Sequence, residues 1–210
     1  RSVARSCSHY GIQCFGVSRG YQGLIEGKIK PLGTRSVKNI LNKGGTILKS
    51  ARSKEFLTKE GRLKAYESLK NQEINNLVVI GGDGSFTGGY IFEKEFGVSV
   101  VGIPGTIDND IFGTDSTVGY DTALNTVVEA IDKIRDTAIS HNRLFFVEVM
   151  GKDAGHIALN TGIGIGASEI LIPEKDKGLD KLLKSLKRSK KSGRLSSIVV
   201  VAEGDKIGKN

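Results

Sequence analysis

The chain has 210 residues, 28 of them glycine, and a formal net charge of +8. Hydrophobic residues at 38% and charged residues at 26% support a packed core and exclude a disordered or low-complexity polymer. No apolar run approaches the ~20 residues of a membrane span and no secretory signal opens the chain, so a cytoplasmic protein without a membrane role is expected, with Cys7 and Cys14 as thiols.

In chain order, residues 1–9 read as the end of a helix with its exit at Tyr10-Gly11, and Ile12 to Val17 as an apolar strand. Arg19 to Leu24 is predicted as a glycine-punctuated loop. Val37, Ile40 and Leu41 predict a short helix stopped by Gly44-Gly45, and Thr46 to Arg52 a short extended piece. Leu63, Tyr66 and Leu69 place a helix over 62–72. Leu77 to Ile80 lacks polar alternation, which predicts a strand buried on both faces. Gly81 to Ser85 leads into a helix through Phe96, and a strand over 98–103 follows. Tyr120, Ala123, Leu124, Val127, Ile131, Ile134 and Ala138 recur at helical spacing and predict a long helix within 117–140.

A strand over 144–150, a small glycine-rich helix and turn over 155–166 and a strand over 169–172 come next. The block from Lys175 to Arg194 carries much of the positive charge. It is predicted to hold an amphipathic helix over 177–191 with Leu179, Leu182, Leu183 and Leu186 inward. No nucleic-acid motif accompanies it, so no nucleic-acid partner is expected. Ser197 to Ala202 is a last strand, with Glu203 at its end. Strand, glycine loop and helix in repetition predict an α/β fold of three layers, a mainly parallel sheet with helices on both faces. Ligands of such folds collect at the carboxyl ends of the strands, where Asp83, Asp108, Lys152 and Glu203 fall.

Two loops carry the chemistry. Gly81 to Ser85, GGDGS, is neither a P-loop nor a dinucleotide fingerprint, yet its glycines leave backbone N–H groups free before a helix, as an anion site requires. Asp83 there would repel a phosphate unless Mg²⁺ bridged them; the structural alternative is a helix N-cap. Thr106, Asp108 and Asp110 follow the strand that stops at Pro104-Gly105, in PGTIDND. Carboxylates two residues apart can hold a metal or take a proton from a hydroxyl, or can act as turn formers. Together the loops suggest a phosphoryl-transfer site, with Arg52, Arg143 and Lys152 as anion partners. Arg143 and Lys152 bracket one strand, roughly 25–30 Å apart at ~3.3 Å per residue, so one ligand in a monomer does not touch both. His9, His141 and His156 lack metal-ligand spacing; Met150 lies where it can pack on a substrate.

These motifs together resemble the phosphofructokinase family: RGYQGL (19–24), GGTILKSAR (44–52), GGDGS (81–85), PGTIDND (104–110), GYDTAL (119–124), HNR (141–143), EVMGKDAGH (148–156), IPE (172–174) and AEG (202–204), in order along nearly the whole chain. The resemblance implies ATP-dependent phosphorylation of fructose 6-phosphate to fructose 1,6-bisphosphate in glycolysis. It implies Asp108 as base, Thr106 beside the transferred phosphoryl group, and Lys152 as an electrostatic stabiliser where the family usually has Arg. Asp83 would bind Mg²⁺, supported by Asp110. Tyr21, Arg52, Gly82, Asp83, Gly84 and Ser85 would line the nucleotide. Thr106, Asp108, Asp110, Met150, Gly151, Lys152 and Glu203 would hold the sugar phosphate, with Arg143 reaching the site of a neighbouring subunit in a homo-oligomer. Glycine at 84 and 105, where the pyrophosphate-dependent branch typically carries Asp and Lys, favours ATP. A pyrophosphate-dependent enzyme and a non-catalytic sugar-phosphate- or nucleotide-binding subunit are the alternatives.

By the same resemblance, 1–120 is a nucleotide-binding part lacking its first strand and phosphate loop. Residues 121–210 start a sugar-phosphate-binding part whose remainder lies beyond them, so the second domain is incomplete and the piece alone is expected to risk inactivity. Arg1, Arg5, Arg135 and Arg194 fall at effector positions of the family, whereas Thr34-Arg35 departs from its regulated bacterial pattern.

Overall fold

The computed structural model describes residues 1–141, 143–175, 178–193 and 197–206. They form two packing units: Arg1–Val79 with Ser85–Gly102, and Ile80–Gly84 with Ile103–Asn210.

In the first unit, helix α1 (Ser2–His9) is followed by β1 (Phe15–Val17), α2 (Gly20–Ile25) and β2 (Ile29–Pro31), with β1 and β2 antiparallel. Helix α2 replaces the loop predicted for 19–24. Gly23 is a point of close approach, where a Cβ would overlap Ser18 O, and Arg19 and Gly20 take left-handed φ values of 68° and 57° that turn the chain into the helix. Leu24 then enters a core with Phe56, Ala65, Leu69, Phe92 and Val98.

Residues 34–39 form turns, where a helix around Val37 was predicted. Val37 is buried, but Leu41 is exposed and Asn39 is left-handed at φ 56°, which ends any helical run. The predicted extended piece over 46–52 is not a strand: Ile47 and Leu48 form a turn closed by Lys49 N to Thr46 O at 3.2 Å, with Lys49 at φ 59°. Helix α3 (Lys59–Lys70) is capped by Thr58, whose hydroxyl accepts from Gly61 N at 3.1 Å. It buries Arg62, Ala65 and Leu69, not Leu63, because Arg62 turns inward to Glu95.

Strand β3 (Asn76–Gly81) runs into α4 (Asp83–Phe96), and β4 (Ser99–Pro104) pairs with β3. β3 is covered on one face only: Val79 is buried, whereas Val78 and Ile80 are exposed.

The second unit centres on a parallel sheet. Helix α5 (Tyr120–His141) leads to β5 (Leu144–Val149), α6 (His156–Gly164), β6 (Glu169–Leu171), α7 (Leu179–Lys191) and β7 (Ser197–Ala202), with the strands ordered β5-β7-β6. Tyr120, Ile131, Val149, Ile157, Ala158, Val200 and Ala202 form the larger core, and Leu171, Leu182, Val199 and Val201 a second cluster. Leu182 and Leu186 of α7 join that cluster; Leu179 and Leu183 are exposed, so the predicted inner face is narrower than four leucines. Lys177 and Arg194 lie outside the described residues. Among the described residues no helix is long and apolar enough to cross a membrane.

Candidate active site

Two glycine loops of the second unit are fastened together. The GGDGS stretch leaves β3 at Gly81, and Gly105 N, just past β4, donates to Gly81 O at 3.0 Å. A Cβ on Gly82 would lie 3.6 Å from Thr106 Cβ, so Gly82 faces the Thr106 side chain across the width of one methyl group. A Cβ on Gly105 would come within 2.8 Å of Ile80 Cγ2, which is why glycine suits this approach.

Asp83 is the first residue of α4 and is exposed. The free N–H groups and positive dipole of that helix end favour an anion, and a lone hard carboxylate oxygen beside them suits Mg²⁺ shared with phosphate. Among the described residues no group of three or more His, Cys, Asp or Glu side chains can hold a metal by itself. Asp83 alone would offer a Mg²⁺ one carboxylate, and phosphate oxygens would have to supply further ligands. Next to Asp83, a Cβ on Gly84 would meet nothing within 4 Å.

In the second loop, Thr106 Oγ1 donates to Asp108 Oδ2 at 3.1 Å and accepts from Asp108 N at 3.2 Å. This pairing orients a half-buried carboxylate. The residues between the chemical ones act as anchors. Ile107 packs on the core that holds Tyr120, Val149 and Ala202. Asn109, at φ 54°, accepts from Thr117 N at 2.9 Å and Thr117 Oγ1 at 3.2 Å, and its Nδ2 donates to Asp115 O at 3.3 Å. Val118 N closes the loop on Pro104 O at 2.8 Å. Asp110 is exposed. The anchoring role of Asn109 was not anticipated; the only signal was an amide set between two carboxylates, which also reads as a turn former.

A further pair of segments leaves the carboxyl ends of β5 and β7, where Val149 is paired with Ala202. Glu203 Oε1 accepts from Gly151 N at 3.1 Å and Lys152 N at 2.5 Å. The predicted sugar ligand Glu203 thus also holds the Met150-Gly151-Lys152 turn. Gly151 has φ 147°, and a Cβ there would overlap Ala154 O. Met150 is 61% exposed, and Lys152 is exposed in a left-handed conformation at φ 54°. Arg143 is also exposed but lies at the opposite, amino end of β5, its carbonyl accepting from Ser197 N at 3.3 Å.

The remaining predicted nucleotide residues belong to the first unit. Tyr21 OH donates to Ser85 O at 2.6 Å while its ring stacks on Phe56 at 3.9 Å, and burial pushes the phenol pKa up to about 12. Arg52 is exposed. Of the arginines that the resemblance put at effector positions, Arg1 and Arg5 are exposed and Arg135 donates to Ile165 O at 2.5 Å.

The family model described as Phosphofructokinase matches residues 1–210. The chain is 54% identical over 208 residues to ATP-dependent 6-phosphofructokinase 2 of Bacteroides thetaiotaomicron, covering 99% of this chain and 64% of the relative. It is 54% identical over 204 residues to ATP-dependent 6-phosphofructokinase 1 of Thermus thermophilus, covering 97% of this chain and 63% of the relative. The phosphofructokinase structure from Saccharomyces cerevisiae superposes with a TM-score of 0.91 at 40% identity, over 97% of this chain and 31% of that one. The chain thus spans just under two thirds of the length of the curated relatives it matches.

Proposed function

The chain belongs to the phosphofructokinase family, and on that premise we propose that the protein carrying it transfers the terminal phosphoryl group of ATP to the 1-hydroxyl of fructose 6-phosphate, in the cytoplasm and as a homo-oligomer. The observation that supports this reading is the bond from Gly105 N to Gly81 O, with Gly82 facing Thr106, which ties the start of the GGDGS stretch to the loop of the Thr106–Asp108 pair. Asp108 takes the proton of the sugar hydroxyl as that oxygen bonds to phosphorus and ADP departs. Thr106 orients the carboxylate from its hydroxyl. Asp83 would hold Mg²⁺ with support from Asp110, and the ion supplies charge neutralisation on the phosphate oxygens.

Gly82, Gly84 and Ser85 offer backbone to phosphates, with Tyr21 and Arg52 also lining the nucleotide. Lys152 stabilises the transferred charge as a point charge without the bidentate fork of an arginine. Asp110, Met150, Gly151 and Glu203 complete the sugar-phosphate pocket with Thr106 and Asp108. Arg143, at the far end of β5, serves a neighbouring subunit. Residues 1–120 form the nucleotide-binding part, whose Thr106, Asp108 and Asp110 also meet the sugar phosphate, and 121–210 begin the sugar-phosphate part.

Asp108→Ser tests the assignment. It keeps the fold and nucleotide binding and lowers turnover by roughly two orders of magnitude or more, the usual scale for a general base. Wild-type turnover in that variant would overturn it.

A further inference from the structure

We infer that Asn109 is a positioning residue for the transfer step, holding Asp108 in register through Thr117. This rests on the phosphoryl-transfer reading of the same loop. The loop alternates: Thr106 and Asp108 pair with each other, whereas Ile107 packs on the core and Asn109 grips the segment that enters α5. Its carboxamide oxygen accepts two bonds from Thr117, a residue 3% exposed, and its nitrogen donates to Asp115 O. The left-handed φ of 54° at Asn109 reverses the chain immediately after the base, a conformation that asparagine and glycine tolerate and most residues resist.

Other polar ties of this loop are the Gly105–Gly81 bond before Thr106, the Val118–Pro104 bond beneath it and the turn bond from Thr114 N to Ile111 O. None of these three reaches the residue that follows Asp108. Without the carboxamide, the carboxyl side of Asp108 is held only by backbone.

Glycine and aspartate substitutions separate this role from mere stability. Asn109→Gly keeps the backbone conformation and removes the carboxamide. Asn109→Asp keeps the acceptor for Thr117, loses the bond to Asp115 O and adds a negative charge between Asp108 and Asp110. In protein of the relatives' full length, assayed well below its melting temperature, Asn109→Gly lowers kcat by about 10- to 100-fold, a scale that follows from small misplacement of a reacting group. The KM for ATP stays within about twofold, as expected for a change confined to the transition state. Asn109→Asp turns over faster than Asn109→Gly, short of wild type because of its added charge.

Thr117→Val provides an independent check. Because it removes one of the bonds to Asn109, its effect on kcat is non-additive with that of Asn109→Gly. Wild-type kcat in a folded Asn109→Gly variant overturns the inference while leaving the phosphoryl-transfer reading intact. So do additive losses in the double variant. A wild-type protein with no turnover from ATP or pyrophosphate overturns both together.

Discussion

A side chain added at Gly84 meets open space, whereas one at Gly105 meets Ile80 at 2.8 Å. These glycines were read alike as marks of the ATP-dependent branch, yet only the first gives a clean test of donor choice. Gly84→Asp places a carboxylate in the first turn of α4, where the dipole welcomes it, so stability changes by no more than about 0.5 kcal/mol. ATP-dependent kcat/KM is expected to fall by about tenfold or more, equivalent to ~1.4 kcal/mol. Kinetics and a thermal melt on one preparation check this, and an unchanged kcat/KM would remove the donor argument. Gly105→Lys mixes the same effect with a packing clash.

At this scale the places of Asp83, Thr106 and Asp108 just past β3 and β4 were legible, because an apolar run that stops at glycine or proline marks the end of a strand. The second use of Glu203 was not legible. Its partners, Gly151 N and Lys152 N, lie far away in sequence and meet it only because β5 and β7 pair in register.

Helix α3 is held to α4 by a buried arginine. Arg62 is 9% exposed and grips Glu95 through two bonds, Nε to Oε2 at 2.6 Å and Nη2 to Oε1 at 2.8 Å, while Nη1 donates to Phe56 O and Leu57 O. The bond to Arg62 holds the Glu95 carboxyl below its ordinary range. A depressed carboxylate adds stability above its unfolded pKa and loses it as pH falls through the folded value. Wild-type melting temperature therefore drops more steeply than that of Glu95→Gln as pH is lowered from neutrality through the carboxylate range. Parallel curves for the two proteins would show that the pair contributes nothing to folding.

Helices α3, α4, α5 and α6 and the strands β5 and β7 were legible from periodicity and runs of β-branched residues. Helix α2 was hidden because its glycines resemble a loop until Ser18 is seen pressed against Gly23. The turn at 34–39 was mistaken for a helix because apolar spacing does not reveal a left-handed Asn39. Strand β2, three residues long, left no periodic signal.

For the whole molecule, the α/β class with a parallel sheet was read correctly from the alternation of strands, glycine loops and helices. Pairing order within the sheets and the coverage of each face were not, since both depend on long-range partners. On β5, Leu144 and Phe146 remain exposed, at 45% and 53%. Arg143 adjoins them, at the end of β5 remote from Lys152. If Arg143 serves a neighbouring subunit, the defects of Arg143→Ala and Asp108→Ser reside in different halves of each shared site. Co-expression of the two inactive variants then restores turnover in mixed oligomers, whereas blending them without subunit exchange does not. Silence in a verified mixed oligomer would return Arg143 to the surface charge that strand spacing alone suggests.

The most direct measurement is fructose 1,6-bisphosphate formation by protein of the relatives' full length, with ATP and pyrophosphate side by side and Asp108→Ser in parallel. Turnover with ATP, little with pyrophosphate, and a loss of roughly two orders of magnitude or more in the variant is the result expected. A folded protein that binds fructose 6-phosphate yet turns over with neither donor would contradict the account and leave a sugar-phosphate-binding subunit in place of a kinase.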